Sequence, residues 1–294
     1  MKRRHFFFFS GGLAIAGLGY LSQNIKTQTH PLPTNADRLL EPPNFRFVSI
    51  ADSGTGSKSQ YDVAGAMKGY YDQNPYPLVV MAGDNIYNNG EIEKVEAVFE
   101  RPYQPLLDRG VRFQACLGNH DIRTDNGNPQ VAYPGFNMKG RYYSFHEENI
   151  QFFALDTNYE TDWKSQLTWL ENELSRSQAA WKIVFGHHQI YASGHYGYNE
   201  FLAPKLTPLF AQYGVQLYIN GHEHHYERTH PLRGTTYITC GCAAGLRPVG
   251  RSQWTAYSAS RLGFAAYEVY GDRMIVQAIA TDGTVFDRGI VKFN

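Results

Sequence analysis

Cysteine is scarce in this chain. Cys116, Cys240 and Cys242 are the only three in 294 residues, too few for a disulfide framework and odd in number. A bridge between Cys240 and Cys242 would close a loop too tight for disulfide geometry. Net charge is also lacking. The chain carries 27 basic and 27 acidic side chains, so it has no polybasic footprint for nucleic acid. Charged residues make up only 18% of the chain against 43% apolar, a balance that permits a sizeable core and excludes global disorder. There is no internal repeat, and no low-complexity segment beyond the four phenylalanines at 6–9.

The start of the chain lacks acid altogether. "MKRRHFFFFSGGLAIAGLGYL" couples a basic end to an apolar stretch with Gly and Ala, the form of an export signal. Arg3-Arg4 ahead of His5-Phe6-Phe7 resembles a twin-arginine signal. No small-x-small cleavage site is evident, so residues 6–21 could stay as a membrane anchor. We expect a leader or anchor over 1–25, a polar, Pro-rich linker over 26–43, and a folded domain over 44–294. Export would place the protein in the periplasm or outside the cell. Without the leader, 24 basic residues face 27 acidic ones.

From residue 44 onward, short apolar runs alternate with longer mixed segments. Strands are predicted at 45–52, 77–84, 111–120, 181–187 and 215–222, a hairpin at 141–157 turning at "EEN", and three strands after 262. Helices are predicted at 57–73, with Val63, Ala66, Met67 and Tyr70 on one face, and at 163–177, with Trp163, Leu167, Leu170 and Leu174 in one stripe. Two more are predicted near 91–109, broken at Pro102 and Pro105, and near 200–213. The class is α/β, with two sheets face to face and helices outside.

What the chain has in quantity is histidine, eleven in all, six of them within 187–195 and 222–225. Aligning the predicted strand ends explains their placement. "VSIAD" ends at Asp52, "VVMAGD" at Asp84, "QACLGNH" at Asn119 and His120, "IVFGH" at His187, and "LYINGH" at His222 with His224 close behind. A single Gly-Asp is ordinary turn chemistry, but His is not a preferred turn residue. In α/β sheets the ligand crevice lies at the carboxyl ends of the strands, so these groups are expected to converge. Asp, Asn and His together supply hard oxygens and imidazoles for metal ions. Six or seven donors are too many for one tetrahedral ion. Two ions sharing a carboxylate fit better, and such pairs catalyse hydrolysis at phosphorus.

In order, "DSG" (52–54), "GDNIY" (83–87), "GNHD" (118–121), "VFGH" (184–187) and "GHEH" (221–224) resemble the five metal-binding blocks of the purple acid phosphatases, of the tartrate-resistant acid phosphatase type, within the calcineurin-like metallophosphoesterases. The resemblance implies a four-layer α/β/β/α sandwich of two mixed sheets. It also implies a dinuclear centre, Fe(III) with Fe(II), Zn(II) or Mn(II). Most metallophosphoesterases begin with Asp-x-His, whereas residue 54 here is Gly. In the purple group the tyrosine of the second block takes over, so Tyr87 is expected to bind as phenolate. The resemblance assigns Asp52, Asp84, Tyr87 and His224 to the first metal and Asp84, Asn119, His187 and His222 to the second. His120 and His195 would contact phosphate and protonate the leaving alkoxide. Asp121 would orient a neighbouring histidine from the second shell.

The expected substrates are small phosphate monoesters or phosphoproteins, with no nucleic-acid partner and a monomeric state. Two alternatives stay open: a phosphodiesterase using two divalent ions, and a non-catalytic metal-binding surface protein. "CGCAAG" (240–245) reads as a turn of small residues packed beneath the metal loops. Residues 123–140 read as a polar loop bordering the pocket.

Overall fold

A computed structural model describes residues 42–293. The expected leader, and residues 26–41 of the expected linker, lie outside the described residues. Strand β1 (Phe45–Ile50) is followed by α1 (Lys58–Gln73), β2 (Leu78–Met81), α2 (Arg101–Leu107), β3 (Arg112–Ala115) and the short α3 (Asn128–Ala132). The hairpin β4 (Tyr143–Glu147) and β5 (Ile150–Ala154) comes next, then α4 (Trp163–Arg176), β6 (Trp181–Phe185), α5 (Ala203–Tyr213) and β7 (Leu217–Asn220). Six further strands close the chain: β8 (Tyr226–Thr229), β9 (Thr236–Cys240), β10 (Thr255–Ala259), β11 (Gly263–Val269), β12 (Arg273–Ala280) and β13 (Val285–Lys292).

Two mixed sheets result, ordered β13-β12-β11-β1-β2-β3 and β10-β8-β9-β7-β6-β5-β4. Strands β1, β2 and β3 run parallel, as do β5, β6, β7 and β9. Period-two alternation sorts their side chains into layers. Phe45 and Phe47 of β1, with Leu78 and Val80 of β2, meet Phe152, Ile183, Phe185, Leu217 and Ile219 between the sheets. The intervening Val48, Ile50, Val79 and Met81 face Val63 and Met67 of α1 and Tyr103 of α2. On the far side, Phe153, Val184 and Tyr218 pack against Leu170 and Leu174 of α4 and Leu206 and Phe210 of α5. These three cores between four layers are the expected α/β/β/α sandwich.

Aromatic geometry joins the two sheets. Phe47 stacks on Tyr267 at 4.2 Å within the first sheet and meets Phe152 of the second edge-on at 5.2 Å. Such contacts contribute about 0.5–1.5 kcal/mol each beyond the area they bury. Helix α1 starts where the Ser57 side chain accepts the Gln60 N–H, an N-cap worth about 1 kcal/mol. Helix α4 starts in the same way at Asp162, which accepts the Ser165 N–H.

Three features differ from the sequence reading. The segment expected as one helix over 91–109 is a 3₁₀ turn (Ile92–Lys94), a π turn (Glu96–Glu100) and then α2. Pro102 does not break α2 but sits in its first turn, where a missing N–H costs nothing. Strands β8, β9 and β10 were not anticipated, and β9 includes Cys240 of the expected turn. Residues 123–140 are only partly a surface loop, because Gln130 and Phe136 are fully buried. All three cysteines are buried and free.

Candidate metal centre

The ladders stop just short of the polar residues. Strand β1 ends at Ile50 and β2 at Met81, and β6 and β7 end at Phe185 and Asn220, so Asp52, Asp84, His187 and His222 lie on the loops that follow. Three of these residues adopt left-handed backbone: Asp52 (φ 55°), Asp84 (φ 52°) and His222 (φ 67°). That conformation is costly for a residue with a Cβ and gathers at functional sites. Interlocking loops hold it in place. The His222 N–H donates to Asp52 Oδ2 at 2.8 Å, and the His120 N–H donates to Asp84 Oδ1 at 2.9 Å. The glycine ahead of Asp84, of Asn119 and of His222 now has a cause. A Cβ on Gly118 would overlap the Asp84 carboxylate, one on Gly221 that of Asp52, and one on Gly83 the His187 ring. Gly241, in the small-residue turn, makes way for Asp52 in the same manner.

The side chains form two clusters. In the first, the Tyr87 hydroxyl donates to Asp52 Oδ1 at 3.0 Å and lies 3.3 Å from His224 Nε2. His224 Nε2 is itself 3.2 Å from Asp52 Oδ1. In the second, His187 Nε2 lies 3.2 Å from Asn119 Oδ1, 3.2 Å from His222 Nδ1 and 3.5 Å from Asp84 Oδ1. Donor atoms of Asp52, Asp84 and His187 fall within 4.8 Å of one another, which joins the two. His187 Nδ1 donates to the Ala82 carbonyl at 3.0 Å, turning Nε2 toward the cluster.

Electrostatics divide the site, with excess negative charge around Tyr87 and mutual repulsion among the histidines. Burial opposes ionisation of Asp52, but its bond to His224 and the nearby His187 and His222 outweigh this and bring it down to about 2. Burial, then the Asp52 and Asp84 carboxylates, push the Tyr87 phenol far above the ordinary tyrosine range. Burial would lower His187, yet Asp84 and Asp52 raise it. Burial and His187 hold His222 down at about 3. Two buried carboxylates, a phenol, an amide oxygen and three imidazoles aimed at shared points form a donor set that fits hard or borderline cations.

The remaining expected residues divide. His120 reaches the centre: its ring is 4.4 Å from that of Tyr87 and its Nε2 3.9 Å from Asp84 Oδ2. Its Nδ1 donates to the Asn88 carbonyl at 2.6 Å, and Arg123 Nη2 lies 3.3 Å from its Nε2. His195 is exposed, and its ring packs on Tyr196, so the structure does not bring it into the cluster. The expectation that Asp121 orients a histidine is corrected. Its carboxylate accepts N–H groups from Asn85, Ile86 and Gly118 and the side-chain amides of Asn85 and Gln130. It therefore braces the Asp84 and Asn119 loops. Burial and the Asp84 charge push it up to about 7, against the pull of these donors.

The Calcineurin-like phosphoesterase family pattern matches residues 45–226. This chain belongs to that family. The phosphoesterase is 30% identical to Purple acid phosphatase 17 of Arabidopsis thaliana over 64% of its own length and 65% of the relative's, just under two thirds of that protein. It is 25% identical to human Tartrate-resistant acid phosphatase type 5 over 86% of this chain and 91% of that one. Among solved structures, the yellow lupin purple acid phosphatase PPD1 superposes with a TM-score of 0.73 at 18% identity, covering 84% of this chain and 53% of the other. GAP50, described as the anchor in the inner membrane complex of Plasmodium, superposes with a TM-score of 0.75 at 22% identity, covering 85% and 89%. At these identities the two structures speak for the fold alone.

Several groups of the phosphoesterase have no assigned role in the sequence reading. His188, buried, has its Nδ1 2.9 Å from Thr157 Oγ1, and its ring packs 4.6 Å from that of His222. Burial and its histidine neighbours hold it well below the ordinary range. Tyr196 stacks on His222 at 4.2 Å, and Arg247 Nη1 donates to the His222 carbonyl at 3.2 Å. A cavity of about 380 Å³ beside them is lined by Tyr159, His188, Tyr196, Tyr198 and Phe201, with His222 in its wall. Only the doubled histidine at 187–188 could have flagged any of these. Among the described residues no helix is long and apolar enough to cross a membrane.

Proposed function

We propose that this phosphoesterase is an acid phosphatase that hydrolyses phosphate monoesters at a centre of Fe(III) and a divalent Fe, Zn or Mn ion. The observation that carries this reading is the relation between Tyr87 and residue 54. The Tyr87 N–H donates to the Gly54 carbonyl at 2.8 Å, and any Cβ at position 54 would overlap the backbone of Asn85. The loop that delivers the tyrosine thus occupies the space a histidine at 54 would need. One residue excludes the other, and this chain has the phenol.

Asp52, Asp84, Tyr87 and His224 would hold the trivalent ion, and Asp84, Asn119, His187 and His222 the divalent one. When bound, such a pair would supply positive charge for the phosphate oxygens and acidity for the attacking water. With Nδ1 given to Asn88, His120 presents Nε2 beside Asp84 and, together with Arg123, binds a phosphate oxygen. The new bond joins the water oxygen to phosphorus as the ester P–O bond breaks. The proton lost by water is made up on the leaving alkoxide by His120 or His195, a contribution of about 10²–10⁴-fold. Phosphate monoesters, free or on proteins, fit this centre. A monomer exported by the leader over 1–25, ahead of a linker over 26–43 and a catalytic domain over 44–294, completes the proposal. Replacing Arg3 and Arg4 by Lys should block its export.

Metal analysis with an absorption spectrum, and turnover of p-nitrophenyl phosphate, tests the centre. The wild type should show a visible tyrosinate-to-iron band, Tyr87→Phe should lose it, and activity should peak at acid pH. A colourless active enzyme with two divalent ions, cleaving diesters, would replace this reading with a phosphodiesterase. Equal turnover by wild type and Asn119→Ala would remove catalysis at this site.

A further inference from the structure

The geometry points to Glu223 as a positioning residue that fixes the loop 193–197 over the metal centre, and through it His195 and Tyr196. Glu223 stands between the two histidines of "GHEH" and is fully buried. Its carboxylate accepts three consecutive backbone N–H groups: His195 on Oε2 at 2.9 Å, and Tyr196 and Gly197 on Oε1 at 2.5 and 3.2 Å. Successive N–H groups converging on one anion make a nest, and here the anion belongs to the strand-end loop that carries His222 and His224.

The fit is close. A Cβ on Gly194 would stand 2.5 Å from both Glu223 Oε2 and His225 Cε1. Two residues further on, buried His225 has Nε2 3.3 Å from Glu227 Oε2. Glu227 in turn accepts the Ser193 N–H at 2.6 Å and its hydroxyl at 2.7 Å. The loop is thus tied at its start by Glu227 and along its length by Glu223. Tyr196 is the readable consequence, stacked at 22° on His222 with the Arg247 guanidinium 5.5 Å from its ring. Release of the three N–H groups would let Tyr196 leave His222 and would free His195, its neighbour on the same loop, from its fixed position.

This inference rests on the phosphatase reading, and leaving-group dependence tests it. The variants are Glu223→Gln, Gly194→Ala (which presses on the same contact from the loop side), His195→Ala, and Glu223→Gln with His195→Ala. Each is assayed with p-nitrophenyl phosphate, whose phenolate leaves without a proton, and with 2-glycerol phosphate, whose alkoxide needs one. Glu223→Gln and Gly194→Ala should keep wild-type metal content. Each should lose about tenfold to a hundredfold in kcat on glycerol phosphate, as expected for a displaced reacting group, and less than about threefold on p-nitrophenyl phosphate. In the His195→Ala background Glu223→Gln should add almost nothing, the signature of residues acting as one unit. Equal losses on both substrates, or losses that multiply in the double variant, would overturn the positioning role and leave the phosphatase intact. A wild type inactive on both substrates would instead remove the phosphatase reading, and this role with it.

Discussion

Gly83→Ala puts the packing of the centre to the sharpest test. Gly83 has φ +84°, and a Cβ there would stand 2.7 Å from both Cβ and Nδ1 of His187. Ordinary contact begins near 3.4 Å, so the two groups must separate by about 0.7 Å. His187 has little room to yield, being fully buried and held at Nδ1 by the Ala82 carbonyl. Left-handed backbone with a Cβ costs about 1–2 kcal/mol, and overpacking adds about 1–3 kcal/mol. The expected loss is therefore about 2–5 kcal/mol of stability. Displacing His187 Nε2 by most of an ångström should also lower kcat about 10²-fold and reduce the divalent ion bound per chain. Urea unfolding, metal analysis and p-nitrophenyl phosphate turnover read the three effects separately. Full activity with two ions per chain would show that His187 does not bind where the structure places it.

Two further outcomes lie outside the centre. Asp287 of β13 takes Arg228 of β8 in a two-point pair at 2.7 and 2.9 Å and the Tyr226 hydroxyl at 2.9 Å, linking one sheet to the other. Asp287→Ala should cost about 3–5 kcal/mol in urea unfolding by leaving the arginine unpaired, and a cost under about 1 kcal/mol would deny the link. At Glu227, burial opposes ionisation, but bonds from His225, Thr255 and Ser193 prevail and lower its carboxyl. Because the folded value is depressed, its stabilisation is complete above the ordinary glutamate range and is lost as pH falls through the folded value. The stability gap between wild type and Glu227→Gln, about 1–3 kcal/mol at neutral pH, should therefore shrink toward pH 3; a gap that widens would reverse the sign.

Much of this was legible in the sequence because strand and site share one pattern. Buried runs such as "PLVVMA" gave the parallel strands, and the glycines that let loops interlock also marked where they would. Strands β8–β10 were missed because "YERT" and "TAYSA" lack the apolar runs that marked the others, although "TTYITC" carried β-branched residues that could have disclosed β9. The joining of β11 to β1 is non-local and leaves no trace in either segment. Glu223 was invisible for a different reason. A glutamate between two histidines reads as solvated, and only the fold brings the 195–197 backbone to it. His195 rests on the resemblance alone, and a matching position in a loop does not fix the direction of a side chain.

The cluster also straddles the seam of the sandwich. Asp52, Asp84, Tyr87 and Asn119 hang from one sheet, while His187, His222 and His224 hang from the other. Cations seated there would act as rivets, so chelation should loosen the two halves as well as silence the reaction. Ligand linkage turns a concentration a hundredfold above the dissociation constant into about 2.7 kcal/mol of added stability. A chain stripped of its ions would then unfold more readily than a loaded one, and metal supply would bear on how long the protein survives.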